Sequence, residues 1–229
     1  MGIPKESGLL SLWLATLIYA LFKVKEWNYF ILSSLIGSMV LLLMSDEVLS
    51  LIAKRRTRRL IKLLSVILIP YIPSLLMNPA ILLVGIVAAL FISIIFLSTS
   101  PSKEVSHGST IAGSAAVSMH SIILMISGGA LSPADLLLPP LYSIMSTSHA
   151  SIRVLGHNTL ALLSGATAGI LLLIITLPSP SLQVIMLLDI VSRLIQEITG
   201  LSSRIKVRAF GFLELARSCL TLSASGLIG

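Results

Sequence analysis

The feature that most constrains this sequence is a succession of long apolar runs, separated by short breaks that contain Pro, Gly, Asn, Ser or basic residues. Several runs approach the roughly 20 residues that a helix needs to cross the hydrocarbon core of a bilayer. The chain has 229 residues and is 55% hydrophobic and only 11% charged, with a mean hydropathy of +1.02. Soluble domains carry about 25% charged residues. The composition therefore predicts an integral membrane protein of the all-α class.

The breaks divide the chain into nine predicted spans, and no repeat or separate soluble segment interrupts them. The spans cover approximately residues 8–23, 29–50, 61–77, 80–98, 109–130, 135–152, 158–177, 182–200 and 210–228. We therefore predict one domain over residues 1–229, folded as a polytopic transmembrane helix bundle. Internal prolines predict bends in the third and sixth spans, and small-residue stretches at 108–118 and 164–169 predict close contacts between helices.

The distribution of basic residues predicts how the bundle lies in the membrane. Lys23 and Lys25 fall on one side of the predicted topology. The other side holds Lys5, Lys54, Arg55, Arg56, Arg58, Arg59, Lys62, Lys103, Arg153, Arg204, Lys206 and Arg208. The positive-inside rule then places the N-terminus in the cytoplasm and the C-terminus outside the cell membrane.

The net charge of +7 does not indicate a nucleic-acid partner. The basic residues lie in short connections, where topology and anionic lipid headgroups account for them. No basic segment is rich in the aromatic residues on which single-stranded bases stack. The basic run 54–62 is interpreted mainly as a topology anchor, and only secondarily as a phosphate-binding segment.

Ionisable residues inside the spans are the candidates for function, because charges at membrane depth are costly and usually face a bundle interior or a wet cavity. Asp189, Arg193 and Glu197 recur at i, i+4 and i+8, which stacks an acid, a base and an acid on one helical face. Glu214 and Arg217 form an i, i+3 pair in the last span. The remaining candidate binding residues are Lys5, Glu6, Asp46, His149 and Arg153.

Almost all of these groups fall in the predicted cytoplasmic half. We expect them to line a cavity that opens to the cytoplasm and binds a polar or anionic headgroup. The alternative is that they neutralise one another as structural ion pairs between helices. His120, in the middle of the fifth span, is more typical of a hydrogen-bonded packing residue than of a ligand. Haem ligation by His120 and His149 has no spacing signature, and no cofactor is indicated.

Two stretches resemble motifs of the UbiA superfamily of membrane prenyltransferases, which also has nine helices. MSDEVLSLIAKRR ends the second span, where that family carries N-D-x-x-D-x-x-x-D-R. SHASIRVLGHNTLALLSG ends the sixth span, where the family carries D-x-x-x-D-x-x-x-G-x-x-T-L, and Gly156, Thr159 and Leu160 match that tail. The acids depart from the pattern. Asp46 matches one aspartate, whereas the other aspartate positions fall on Leu49, Ala53, Ser148 and Ile152.

The missing acids affect the metal binding that the resemblance to the UbiA superfamily implies. In that superfamily the aspartates hold Mg²⁺, which bridges the diphosphate oxygens of the substrate. One or two acids cannot hold the usual pair of ions, so Mg²⁺ is not expected at these motifs and no metal site is predicted. If the protein is an enzyme, the resemblance implies a transferase acting on a lipid, and its catalytic residues are unknown.

The chain also resembles the YwiC-like family of membrane proteins. Its PKESGLL (4–10) is similar to the family's opening P-K-E-H-G-A-W, with Pro4, Lys5, Glu6 and Gly8 matching. Further similar stretches are LIAKRRTRRL after the second span, STSHASIRVLG at the end of the sixth and KVRAFGFLE before the last. This resemblance implies a polytopic bundle, UbiA-like in arrangement, and leaves the chemistry open.

Three functions are consistent with these features. The first is an enzyme or binding protein for an isoprenoid or other lipid, whose anionic head would meet Lys5, Arg153, Arg193 and Arg217. The second is a transporter in which Asp189, Arg193 and Glu197 line the path, although an odd number of spans without a repeat is atypical. The third is a non-catalytic membrane subunit. Membrane lipids, with an isoprenoid as one candidate, are the expected partners, and the protein partner is unknown.

Overall fold

The computed structural model describes residues 7–98, 106–130, 132–200 and 206–228. These residues form helices and no strand, which confirms the all-α prediction. The helices are α1 (Ser7–Lys23), α2 (Tyr29–Ala53), α3 (Thr57–Leu68), a 3₁₀ turn (Ile69–Tyr71), α4 (Ile72–Met77), α5 (Ala80–Ser98), α6 (His107–Ser127), α7 (Pro133–Leu155), α8 (Thr159–Thr176), α9 (Pro180–Ile198) and α10 (Val207–Ile228).

Each predicted span coincides with one helical segment, and α3, the 3₁₀ turn and α4 together form the third. Among the described residues, three segments are long and apolar enough to cross a bilayer by length and composition: Thr57–Met77, His107–Ser127 and Thr159–Thr176. Large apolar side chains on the outer helices are exposed, among them Leu83 on α5, Leu163 on α8 and Leu188 on α9. An exterior of this kind is the surface that hydrocarbon chains cover in a membrane protein.

Helix α6 occupies the centre of the bundle and packs against α1, α2, α5 and α7. Its sequence explains this position, because small residues such as Ala112, Ala115 and Ser118 let neighbouring helices approach closely. Helix α8 approaches α7 in the same way. A Cβ atom added at Gly165 would lie 3.0 Å from Cβ of Ser148. Both predicted small-residue contacts are therefore present.

Hydrogen bonds of the loops show which connections share an end of the bundle. The backbone N–H of Lys25 donates to the carbonyl of Gly128, and Asn28 Nδ2 donates to the carbonyl of Ser127. A groove at this end is lined by Ser132 and Ser179. The connections after α1, α6 and α8 thus lie together, at the end opposite the α2–α3 turn. Antiparallel spans that alternate in direction require this placement.

The third helical segment bends where the sequence contains Pro70 and Pro73. The bend is the 3₁₀ turn, and hydroxyl groups of α2 and α4 hold it against α2. The Ser33 hydroxyl donates to the carbonyl of Pro70, and Ser74 Oγ donates to the carbonyl of Phe30 over 3.0 Å. A neighbouring helix therefore supplies a donor at the bend, as non-ideal backbone inside a membrane requires. Helix α7, by contrast, continues through its two internal prolines.

The bent segment reaches α2 at a glycine. A Cβ atom added at Gly37 would lie 2.7 Å from Cε2 and Cζ of the Tyr71 ring. Tyr71 is buried, so its ring has little room to move away. Only a residue without a side chain allows this contact.

We predict that Gly37→Ala destabilises the protein while Gly85→Ala does not. Alanine favours a helix over glycine by about 1 kcal/mol at both positions, and at Gly85 the added Cβ meets no atom within 4 Å. At Gly37 the clash with Tyr71 adds an overpacking cost of about 1–3 kcal/mol. Unfolding of the purified variants in detergent, followed by helical content, measures the difference. Equal stability of the two variants would contradict the close contact.

Candidate functional site

Helices α9 and α10 bring four charged residues together inside the bundle: Asp189, Arg193, Glu214 and Arg217, here called the charge cluster. Asp189 and Arg193 lie one turn apart on α9, and Glu214 and Arg217 lie one turn apart on the facing side of α10. Asp189 and Arg193 are each only 5% exposed. Charges buried to this extent are costly unless each has an opposite charge beside it.

Arg193 is the centre of the charge cluster. Its Nε lies 2.9 Å from Oδ2 of Asp189, and its Nη1 lies 2.5 Å from Oε2 of Glu214. Its Nη2 donates to the hydroxyl of Tyr142 on α7 over 3.1 Å. All three nitrogen atoms of the guanidinium are engaged, and the one side chain connects α9 to both α10 and α7.

Arg217 completes the charge balance. Its Nη1 donates to Oε1 of Glu214 over 2.9 Å and to Oε1 of Gln196 over 3.0 Å. Its Nε lies 3.6 Å from Oδ1 of Asp189, which is a longer and weaker contact. Two carboxylates therefore face two guanidinium groups, and the charge cluster is neutral as a unit.

Of the two acids that the sequence stacks with Arg193 on one face of α9, only Asp189 pairs with it. The second acid beside Arg193 is Glu214 of α10 and not Glu197. The i, i+4 rule identifies neighbours within one helix, and it carries no information on what a facing helix presents. The predicted pair of Glu214 with Arg217 is present.

Glu197 lies beside His149 of α7 instead. Oε1 of Glu197 is 3.0 Å from Nδ1 of His149, although this oxygen is not oriented for a hydrogen bond. The His149 ring is buried and packs against Phe210, with 5.8 Å between the ring centroids. Its Nε2 has no hydrogen-bond partner within the described part of the chain.

Of the remaining candidates, Lys5 and Glu6 lie outside the described residues, as does the side chain of Asp46. Arg153 lies in the last turn of α7, beyond His149. His120 is buried in α6, where its ring stacks on Trp13 of α1 at 5.8 Å. Within the residues described, no group of three or more His, Cys, Asp or Glu side chains could hold a metal ion.

Several contacts of the charge cluster were not foreseen from the sequence. Tyr142 lies seven residues before His149 on α7, so a two-turn spacing of polar residues on that helix was the available signal. Gln196 gave no such signal, nor did Thr221, whose hydroxyl donates to Oδ1 of Asp189 over 3.5 Å. A second unforeseen ion pair joins Lys23 Nζ to Oδ1 of Asp135 over 3.0 Å, at the other end of the bundle.

These features define a class: a helical membrane protein with an apolar exterior and a neutral, buried charge cluster. The profile of the family described as YwiC-like protein matches residues 3–125, more than half of the chain. The chain therefore belongs to the YwiC-like family. The match covers the segment up to α6, so the charge cluster lies beyond it. No curated protein and no solved structure matches the chain.

We predict that Arg193→Leu destabilises the fold by about 3–5 kcal/mol, because it leaves two buried carboxylates without their shared partner. Replacing Asp189 as well, in the double variant Asp189→Asn, Arg193→Leu, keeps the charge cluster neutral because Glu214 still pairs with Arg217, and it should restore much of the loss. Arg58→Leu, at an exposed arginine of α3, is the control and should have little effect. Unfolding in detergent measures all three, and a harmless Arg193→Leu would contradict the geometry described above.

Proposed function

We propose that the chain is a multi-pass protein of the cell membrane with nine spans and a UbiA-like arrangement, its N-terminus in the cytoplasm and its C-terminus outside. Three findings support the proposal. Helical segments coincide with all nine predicted spans, their connections alternate between the two ends, and the strongly basic α2–α3 turn lies at the end that the positive-inside rule assigns to the cytoplasm.

The topology predicts opposite labelling of two connections. In a Cys219→Ala background, a cysteine at Arg56 should react with an impermeant reagent only when the cytoplasmic face is accessible. A cysteine at Ser179, in the α8–α9 connection, should react only from outside. Labelling of intact cells and of inverted vesicles measures both, and labelling of both positions from the same face would contradict the nine-span topology.

We further propose that the charge cluster binds the anionic head of a lipid, such as an isoprenoid phosphate, at its outer edge. The observation that carries this proposal is the position of Arg217. Its side chain is 17% exposed, compared with 6% for Arg193. It lies on α10 between the exposed residues Leu213 and Leu220, so the arginine borders the surface that lipid tails would cover.

The geometry favours Arg217 over Arg193 as the group that meets the head. All three guanidinium nitrogen atoms of Arg193 form contacts inside the charge cluster. If Arg193 bound a headgroup instead, Asp189 and Glu214 would lose their shared partner. Arg217 makes one weak contact, the 3.6 Å approach to Asp189, and a phosphate oxygen could replace that contact while Asp189 keeps its bond to Arg193. Guanidinium groups bind phosphate through paired, charge-assisted hydrogen bonds. The proposal assigns binding and no chemical step.

A line of ionisable groups favours transport as a second candidate. Glu197 and His149 lie near the ends of their helices. Arg193 and Asp189 follow toward the middle of α9, with Glu214 of α10 beside Arg193. Chains of such groups mark ion and proton pathways in membrane proteins. A pH change inside proteoliposomes that depends on Asp189 would favour transport. A non-catalytic subunit is the third candidate, which the neutrality of the charge cluster supports.

We predict that Arg217→Gln lowers the retention of an anionic lipid by roughly tenfold or more, since hydrogen bonds to charged groups contribute about 1.5–3 kcal/mol. Native mass spectrometry of the gently solubilised protein measures the lipid that co-purifies. Arg217→Lys should keep part of the binding, because it keeps the charge. Lys25→Gln, at an exposed lysine in the α1–α2 connection, is the control and should keep all of it. Equal retention in the wild type and in Arg217→Gln would rule out this site.

A further inference from the structure

A second group of charged residues lies at the α2–α3 turn. Unlike the charge cluster, it is exposed and contains only cations. Six of the nine residues from 54 to 62 are Lys or Arg, and none is an acid. The six cations are Lys54, Arg55, Arg56, Arg58, Arg59 and Lys62, here called the basic turn, and all six are exposed. In the described part of the chain, Arg56, Arg58, Arg59 and Lys62 form no salt bridge.

Hydrogen bonds hold the backbone of the basic turn in place. The N–H groups of Arg55 and Arg56 donate to the carbonyls of Ile52 and Leu51, each over 3.0 Å. These bonds close the end of α2 and allow α3 to begin at Thr57. Arg55 has a φ of +50°, a left-handed conformation for which glycine is the least costly residue. Arg55 therefore adopts a backbone conformation that costs more free energy for arginine than for glycine.

The depth of the basic turn follows from its neighbours. Leu60 is buried against the bundle, whereas Ile61, Val66 and Leu68 along α3 are exposed. In a membrane protein these exposed apolar side chains contact lipid tails, so the arginines one turn earlier lie at the level of the headgroups. There, each cation near an anionic surface contributes to attraction. A shallow groove of about 400 Å³ runs between the arginines and Thr57, which is room for a phosphate-bearing headgroup.

We propose that the basic turn is a binding surface for anionic phospholipid headgroups of the surrounding bilayer. Charge complementarity selects this occupant, because exposed cations, four of which form no salt bridge with any described residue, lie beside a lipid-facing apolar surface. The surface does not depend on lipid binding at Arg217, and it involves different helices. The basic turn would bind any anionic lipid of the surrounding bilayer, whereas the Arg217 site would bind a single lipid molecule.

The test uses the purified full chain in mixed micelles that contain either phosphatidylglycerol or phosphatidylcholine. Phosphatidylglycerol should raise the Tm of the wild type more than phosphatidylcholine does, and high salt should reduce the difference. The triple variant Arg56→Gln, Arg58→Gln, Arg59→Gln should lose at least half of the difference. The matching triple Lys variant should keep most of it, and Lys25→Gln at the opposite end should keep all of it.

The outcomes separate the alternatives. An equal Tm difference in the wild type and the triple Gln variant would overturn the proposal, as would no difference in the wild type. A loss of the same size in Lys25→Gln would show a general charge effect and would also overturn it. If inorganic phosphate reproduces the shift, the groove is a site for a small anion and not a lipid surface. The triple Gln variant leaves Arg217 unchanged and should still retain the single anionic lipid in native mass spectrometry, so failure here and failure at Arg217 are distinguishable.

If the triple Gln variant is already less stable in phosphatidylcholine, native mass spectrometry of its folded fraction replaces the Tm comparison. The proposal then requires fewer bound phosphatidylglycerol molecules than in the triple Lys variant. Equal numbers of bound lipids in the two variants would overturn it.

Discussion

The contact of Arg193 with acids on two helices is the interaction on which the arrangement of α7, α9 and α10 depends. Helix α9 has few buried side chains, and two of them are the ions Asp189 and Arg193, with Leu182 and Met186 nearer its start. The apolar contacts of this helix are therefore limited, and lipid tails compete for its exposed Leu and Ile residues. In a bilayer, apolar burial between helices gives little net gain, so ion pairs and hydrogen bonds of this kind contribute, beside close packing, to the association of helices.

The structure separates two uses of charge. Inside the bundle, the acids and arginines of the charge cluster balance, as the cost of burying ions demands. At the α2–α3 turn the charges are exposed and of one sign, and they face the membrane surface and the solvent. The proposed headgroup site at Arg217 lies between these two cases, since that arginine belongs to the neutral charge cluster but borders the lipid-facing surface.

Much of the fold could be predicted from the sequence because apolar runs and turn residues act locally. The helical segments, the bend at Pro70 and the pairs of Asp189 with Arg193 and Glu214 with Arg217 follow from spacing along one chain segment. The contact of Arg193 with Glu214 depends on how α9 and α10 are rotated about their axes and where they cross. Spacing within a helix contains no information on either quantity, so it could not identify Glu214 as an acid that pairs with Arg193.

A double-mutant cycle tests the central claim most directly, since it measures whether Arg193 and Glu214 interact across the two helices. Free energies of unfolding are measured for Arg193→Leu, Glu214→Gln and the double variant, and a second cycle combines Arg193→Leu with Glu197→Gln. The account predicts a coupling energy of about 1–3 kcal/mol in the first cycle and a value near zero in the second. A larger coupling to Glu197 than to Glu214 would contradict the packing of α9 against α10.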